Sequence, residues 1–393
     1  MTPQTTIIVG AGIFGVTAAL ELKRRGHRVH LLDPGPLPHP LAESTDISKA
    51  VRMDYGPDED YMAWMETALD AWRAWNKSWP APLFHEVGVT FLRRGLMTED
   101  DFEYESYRLL LKRGHQPLRM DSNEIRRRFP AWSADRYVDG YFNPEGGYAQ
   151  SGRVVAELLK RARAEGVELH ERQTFDHFLD SGSRVRGIVT REGIEYQGDQ
   201  VIIAAGAWVP YIIPPLADVF RANGMPVFHL KPDRPELFRA GQFPVFGADI
   251  SATGYYGFPL HPTEGVVKIA NHGPGRQLDP SSERAVTDEE TVQLRDFLAD
   301  TFPTLADAPI VYTRVCIYCD TWDGHLWIAP DPECEGVVVA TGGSGHAFKF
   351  APVLGQVIAD AVEGAPNPRL EKFRWRPEIR PPKTAEAARY QES

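Results

Sequence analysis

Cysteine is scarce, with three in 393 residues. That number excludes a disulfide framework and fits a reducing compartment. An excess of basic charge is also missing. Lys and Arg total 43 against 54 Asp and Glu, a net charge of −11. A general binder of nucleic acid or of an anionic membrane needs a basic face, so neither partner is expected. Long apolar runs are absent too. The longest uncharged stretch, residues 201–217, contains Pro210, Pro214 and Pro215, which break a helix, and is short for a bilayer. The chain enters an apolar strand at residues 6–9 with no charged leader ahead of it. Together these absences point to a soluble, cytoplasmic protein. The 42% hydrophobic and 25% charged fractions are ordinary for a globular chain, and the length suits two domains or one large interleaved body.

What is present begins at the N-terminus. Ile7-Ile-Val9 is a short β-branched run, followed by Gly10-Ala-Gly12-Ile13-Phe14-Gly15 and then by helix formers up to Arg25. Val29 and Leu31 alternate with polar residues as in a second strand, which Asp33 ends. This is G-x-G-x-x-G between strand and helix, with an acid 18 residues after Gly15. Each residue type has a physical reason. Gly10 permits the sharp turn, Gly12 lets a pyrophosphate approach the backbone, and Gly15 lets helix pack on strand. The helix N-terminus offers amides and a positive dipole to phosphates. Asp33 is placed to accept from a ribose hydroxyl and to repel a 2′-phosphate. A dinucleotide site follows; the motif alone leaves FAD and NAD both open.

Further along, the spacing predicts amphipathic helices over residues 57–75 and 151–165, and a capping box at Thr287-Asp-Glu-Glu290 opening another. Buried strands are expected at 201–205 and 337–340, and the latter runs into Thr341-Gly-Gly-Ser-Gly345 with a helix starting near Phe348. The continuous apolar style of the strands at 7, 29, 201 and 337 suits a parallel sheet covered on both faces. The stretches between carry alternating strand patterns, prolines and aromatics. We therefore expect an α/β fold (α+β overall): a doubly wound Rossmann-like nucleotide domain over 1–85, 145–220 and 325–393, with an antiparallel-sheet substrate domain inserted at 86–144 and 221–324. The tail from Pro366 reads as surface wrapping.

Several motifs in order resemble the FAD-dependent amine oxidases of the monomeric sarcosine oxidase family, which sits among the D-amino-acid-oxidase-like flavoproteins. They are the N-terminal fingerprint, Asp46-Ile-Ser-Lys-Ala-Val-Arg52 with Tyr55-Gly56, Gly146-Gly-Tyr148, Ala204-Ala-Gly-Ala-Trp208, Tyr255-Tyr-Gly-Phe-Pro259, Lys268 with His272, Cys316-Ile-Tyr318, and Gly343-Ser-Gly-His-Ala-Phe-Lys349. The resemblance runs over nearly the whole chain. It implies FAD, held by Gly10, Gly12, Ile13, Phe14, Gly15, Asp33, Ser48, Gly343, Gly345, His346 and Lys349 and bonded covalently through Cys316. It implies catalytic roles for Lys268 (oxygen activation), His272 and Tyr256. It implies a substrate carboxylate held by Arg52 and Lys349, whose cations pair with carboxylate oxygens, with Lys49 beside them and Tyr318 in the pocket wall. Lys49 departs from the arginine of sarcosine oxidase, a change that favours bulkier secondary amines. Trp322 is a further wall residue by inference. An aromatic wall suits an amine by shape and by cation–π attraction.

The function implied is oxidation of a secondary amine or N-substituted amino acid with O2 as acceptor, by a monomer acting on a small molecule. Rival readings are a flavin dehydrogenase that passes electrons to a quinone or carrier protein, a non-enzymatic nucleotide-binding module, and an NAD-dependent dehydrogenase. Cys316 and Cys319 spell C-x-x-C, but no second pair completes a metal site, so none is expected.

Overall fold

The computed structural model describes residues 3–180 and 184–379. The chain forms two compact units. Among the described residues, the first comprises 3–47, 150–222 and 317–379, the second 48–149 and 223–316. Residues 48–85, grouped with the nucleotide part on sequence, thus fall in the second unit, and 317–324 fall in the first. The physical reason for the former is a small sheet: Lys49–Val51 and Phe84–His85 both pair with Gly147–Ala149.

The first unit is built on a six-stranded sheet. Its order is Trp327–Pro330, Val337–Thr341, Gln200–Ile203, Thr5–Val9, Arg28–Asp33, Glu168–Glu171. All neighbours are parallel except the Trp327–Pro330 edge, which is antiparallel to Val337–Thr341. Ile7 stands between Val201 and His30 in register. The apolar strands are buried, as helices on a parallel sheet require. Helix Ala351–Glu363 lies close against helix Ile13–Arg24, because Gly355 removes the side chain at the crossing: a Cβ there would come within 2.2 Å of the Thr17 carbonyl oxygen. A three-stranded antiparallel sheet (Phe175–Asp180, Val185–Thr190, Glu195–Gln197) completes the unit. The tail does more than wrap the surface. Phe373 and Arg376 are buried, Arg376 pairs twice with Asp323 (2.6 and 2.9 Å), and its guanidinium lies over Trp327. Residues 380–393 lie outside the described residues.

The second unit carries a nine-stranded sheet, ordered Arg276–Gln277, Phe220–Leu230, Val267–Asn271, Tyr255–Gly257, Val245–Ala248, Val89–Arg93, Asp139–Asn143, Leu118–Arg119, with Ile310–Thr321 also pairing Phe220–Leu230. The expected antiparallel arrangement holds along the order except where Val245–Ala248 runs parallel to Val89–Arg93. Its core gathers Trp132, Tyr137, Phe238, Phe243, Phe246 and Phe302. Helix Glu59–Ser78 starts at Asp58, whose carboxylate accepts from the Tyr61 amide at 3.0 Å, and it buries Trp64, Met65, Ala68, Leu69 and Trp72. Helix Asp288–Thr301 opens on the expected box, with Thr287 and Glu290 bonded reciprocally at 3.1 and 2.8 Å. No described helix is long and apolar enough to cross a membrane.

Candidate active site

In the first unit the glycine motif takes the geometry its residue types demand. Gly10 sits at φ +102°, and a Cβ on it would lie 2.5 Å from the Ala204 carbonyl oxygen. On Gly15 a Cβ would lie 1.8 Å from the Gly10 oxygen, so strand end and helix touch backbone to backbone. Gly12 is different. Its backbone is ordinary, at φ −69° and ψ −171°, and the nearest atom to an added Cβ is Ser44 Oγ at 3.5 Å. Nothing in the protein fills the space beside Gly12, which is what close approach of a pyrophosphate requires. Ile13 and Phe14 begin the helix and are buried, and the Ile13 amide donates to Ser44 Oγ at 3.0 Å. Asp33 ends its strand with Oδ2 accepting from the Ala11 amide (2.9 Å) and Oδ1 from the Gly35 amide (3.0 Å). Burial raises its pKa, and the two amides partly offset that rise. The carboxylate is thereby fixed at the turn with lone pairs to spare for a ribose.

The second glycine segment follows strand Val337–Thr341. Gly342 and Gly345 have positive φ, and Ser344 also takes the left-handed region at φ +45°. Hydrogen bonds hold Ser344 there: its amide donates to the Cys319 carbonyl (3.0 Å), and its Oγ accepts from the Thr321 amide (3.2 Å). Gly345 lies against Tyr318, where a Cβ would meet the ring at 2.4 Å. His346 Nε2 pairs with the Gly324 carbonyl at 2.8 Å. Lys349 is buried in the 3₁₀ turn Ala347–Phe350 that leads into helix Ala351–Glu363, close to the expected helix start. Gly343 is packed tightly, since a Cβ there would meet Ala347 Cβ at 3.2 Å. Trp322 is partly exposed, donates to the Asp218 carbonyl at 2.9 Å and stacks under Arg221 at 4.2 Å.

The second unit brings other expected residues together. Lys268 is 2% exposed on strand Val267–Asn271, its Nζ donating to the Ser48 carbonyl at 2.6 Å and lying 4.7 Å over the Phe258 ring. A lysine in an apolar run ordinarily snorkels to water; here the alternation of the strand turns it inward. The Ser48 hydroxyl is buried with no hydrogen-bond partner among the described residues. Lys49 Nζ stands 3.4 Å from Cys316 Sγ. Arg52 is buried, donates to the Asp54 carbonyl, and lies over Tyr55, Phe91 and Phe102 at 5.4–5.6 Å. His272 is buried and packs edge-on to Tyr256 at 6.3 Å, and Tyr256 packs edge-on to Phe258 at 5.8 Å.

Three contributors were not singled out from sequence. Ser44 caps the glycine-turn helix, Phe258 underlies Lys268, and Arg284 interacts electrostatically with Cys316 while burial pulls its own pKa down. Phe258 stands inside a quoted motif; the other two carry no local signal. The C-x-x-C pair separates: residues three apart on one strand point to opposite faces. Cys319 bonds Thr341 Oγ1 at 3.3 Å and burial pushes its thiol up to about 12, so it is inert.

A dinucleotide fits the glycine turn of the first unit. The cradle beside Gly12 is open where Gly10 and Gly15 are closed, and Asp33 is fixed by amides.

Comparison with known proteins agrees. Residues 5–361 match the DAO family, described as FAD dependent oxidoreductase. The chain is similar to L-saccharopine oxidase of Schizosaccharomyces pombe (27% identical, 95% of this chain and 93% of that protein). It is similar to monomeric sarcosine oxidase of a Bacillus species (27% identical, 90% of each). Among solved structures, the fructosyl amine: oxygen oxidoreductase (Amadoriase I) of Aspergillus fumigatus superposes with a TM-score of 0.82 at 25% identity, covering 96% of this chain and 90% of that one.

Proposed function

Since the chain belongs to the FAD-dependent oxidoreductase family, we propose that it oxidises the C–N bond of a secondary amine or N-substituted amino acid, with O2 as acceptor. In balance, the amine, O2 and water give a carbonyl compound, the shortened amine and hydrogen peroxide. The relatives support the class: saccharopine, sarcosine and fructosyl amine all carry a substituted nitrogen. The observation that carries the oxidase reading is Lys268, a lysine 2% exposed whose ammonium is fixed on the Ser48 carbonyl.

Bound FAD would supply two-electron oxidation of the C–H beside nitrogen. The chain's own residues do the rest. The glycine turn, Ile13, Phe14 and Asp33 would hold the dinucleotide, and Ser48 is assigned to it on the family resemblance. Gly343, Gly345 and His346 shape a rigid loop by their hydrogen bonds and close packing. Cys316 is the point of covalent attachment in this reading, with the Lys49 ammonium at its sulfur. A fixed cation in a dry site stabilises negative charge without reorganising, which is the role assigned to Lys268. Arg52 and Lys349 are each assigned to the substrate acid on the family resemblance. His272, buried against Tyr256, positions the amine. Tyr318 packs tightly enough on Gly345 to give a stiff wall. The enzyme acts as a cytoplasmic monomer in this reading.

A peroxide-coupled screen tests it, spanning sarcosine, other N-methyl amino acids, pipecolate, proline, saccharopine and fructosyl amino acids. Peroxide with at least one of them is expected. Flavin bleaching by substrate with electrons passing only to a quinone or dye would replace the oxidase with a dehydrogenase.

A further inference from the structure

The parallel pair formed by Arg28–Asp33 and the edge strand Glu168–Glu171 sets His30 opposite Glu168 and Leu32 opposite His170. By strand alternation His30, Glu168 and His170 share one face. Their polar atoms converge. His30 Nδ1 is 3.0 Å from His170 Nε2 and 3.5 Å from Glu168 Oε2, and all three donor atoms lie within 4.8 Å of one another. Tyr196 closes the site edge-on to both rings, at 5.9 and 4.9 Å. Arg28 holds the other carboxylate oxygen of Glu168 at 3.0 Å, which turns Oε2 toward the histidines.

We propose that His30, Glu168 and His170 bind one divalent transition-metal ion of the zinc class, clipping the edge strand to the nucleotide-binding sheet. Bonds of about 2.0–2.2 Å to one ion put neighbouring donor atoms roughly 3–3.5 Å apart. Two of the three pairs already stand at that separation. The third closes by a swing of Glu168, whose side chain is 43% exposed and gives an ion access from solvent. Two imidazoles and one carboxylate select zinc, nickel or copper over magnesium or calcium. The 3.0 Å contact between the two ring nitrogens gives way when the ion binds, and each neutral imidazole then carries its one N–H on the ring nitrogen that faces away from the ion. The site is distinct from the glycine turn and from Cys316, and it does not depend on the amine oxidase reading.

The test uses untagged holoenzyme stripped of metal with a chelator that is then removed. Zinc chloride is titrated calorimetrically. One ion per chain and a Tm that rises and saturates with the same Kd are expected. Magnesium should bind at least about a hundredfold more weakly. His170→Gln and Glu168→Gln, both at solvent-accessible positions, should each weaken zinc at least about tenfold while flavin content stays constant. Absence of zinc binding at micromolar concentration would overturn the proposal. So would binding that neither substitution weakens, since the ion would then sit elsewhere.

Discussion

Gly12 and Gly15 belong to one motif but should fail in different ways when replaced by alanine. At Gly15 the added Cβ would lie 1.8 Å from the Gly10 carbonyl oxygen. An ordinary carbon–oxygen contact is roughly 3.3 Å, so two backbone segments must part by about 1.5 Å. Both segments are held, the strand by its two parallel neighbours and the helix by its packing on Ala351–Glu363. Overpacking of this kind costs about 3 kcal/mol or more. At roughly 2–4 °C per kcal/mol for a unit of this size, Tm falls by about 6–12 °C. Gly12→Ala meets only Ser44 Oγ at 3.5 Å and needs no unusual φ. Its fold should survive, with a native circular dichroism spectrum and a cooperative melt, yet the methyl occupies the approach path of the pyrophosphate. Flavin absorbance per chain should drop at least about tenfold. The assay is visible absorbance and thermal melting on both purified variants. Gly15→Ala with wild-type melting and flavin content would refute the packing argument, and Gly12→Ala with full flavin would refute the binding argument.

Lys268→Met should slow reoxidation of the reduced enzyme by O2 on the order of a hundredfold or more while leaving reduction by substrate nearly unchanged; stopped-flow traces showing equal slowing of both would remove its assigned role. Cys316→Ala should release yellow flavin into the supernatant after acid precipitation, whereas wild type and Cys319→Ala keep the colour in the pellet. Burial pulls the His115 imidazole down, but hydrogen bonds to Glu66 (3.0 Å) and Glu145 (2.6 Å) outweigh it and hold its pKa above the ordinary 6.5. A folded-state pKa raised this way stabilises the fold fully below the unfolded value, and the contribution is lost as pH rises through the folded one. The Tm advantage of wild type over His115→Gln should therefore shrink between about pH 6 and pH 8, and a constant difference would count against it. Trp132→Ala removes a ring packed edge-on to Tyr137, Phe246 and Phe302 at 4.7–5.2 Å; it should cost about 3–5 kcal/mol, read from urea denaturation.

The nucleotide part was legible because its requirements are local. A β-branched run, three glycines at fixed offsets and a strand-ending acid specify the turn, and all of these signals lie within thirty-odd residues of sequence. The helix over Glu59–Ser78 was legible for the same reason, from its apolar spacing and its Asp58 cap. Assignments resting on distant chain segments behaved differently. Residues 48–85 fall in the second unit through strand pairs with Gly147–Ala149, and register across a hundred residues leaves no periodic trace. Trp322, inferred as a pocket wall from its aromatic type, is partly exposed and lies under Arg221, a partner that no local pattern announced.

The chain's residues dictated by themselves a phosphate-cradling turn, a family of chemistry and a set of candidate cations, because glycine conformation and side-chain charge are properties of single residues. Only tertiary structure decided that Lys268 turns inward onto the Ser48 carbonyl, that Lys49 meets Cys316, that Cys319 is a sealed thiol, and that His30 meets His170 across two strands. Those outcomes depend on strand pairing and burial, which set distance and desolvation between residues far apart in the chain.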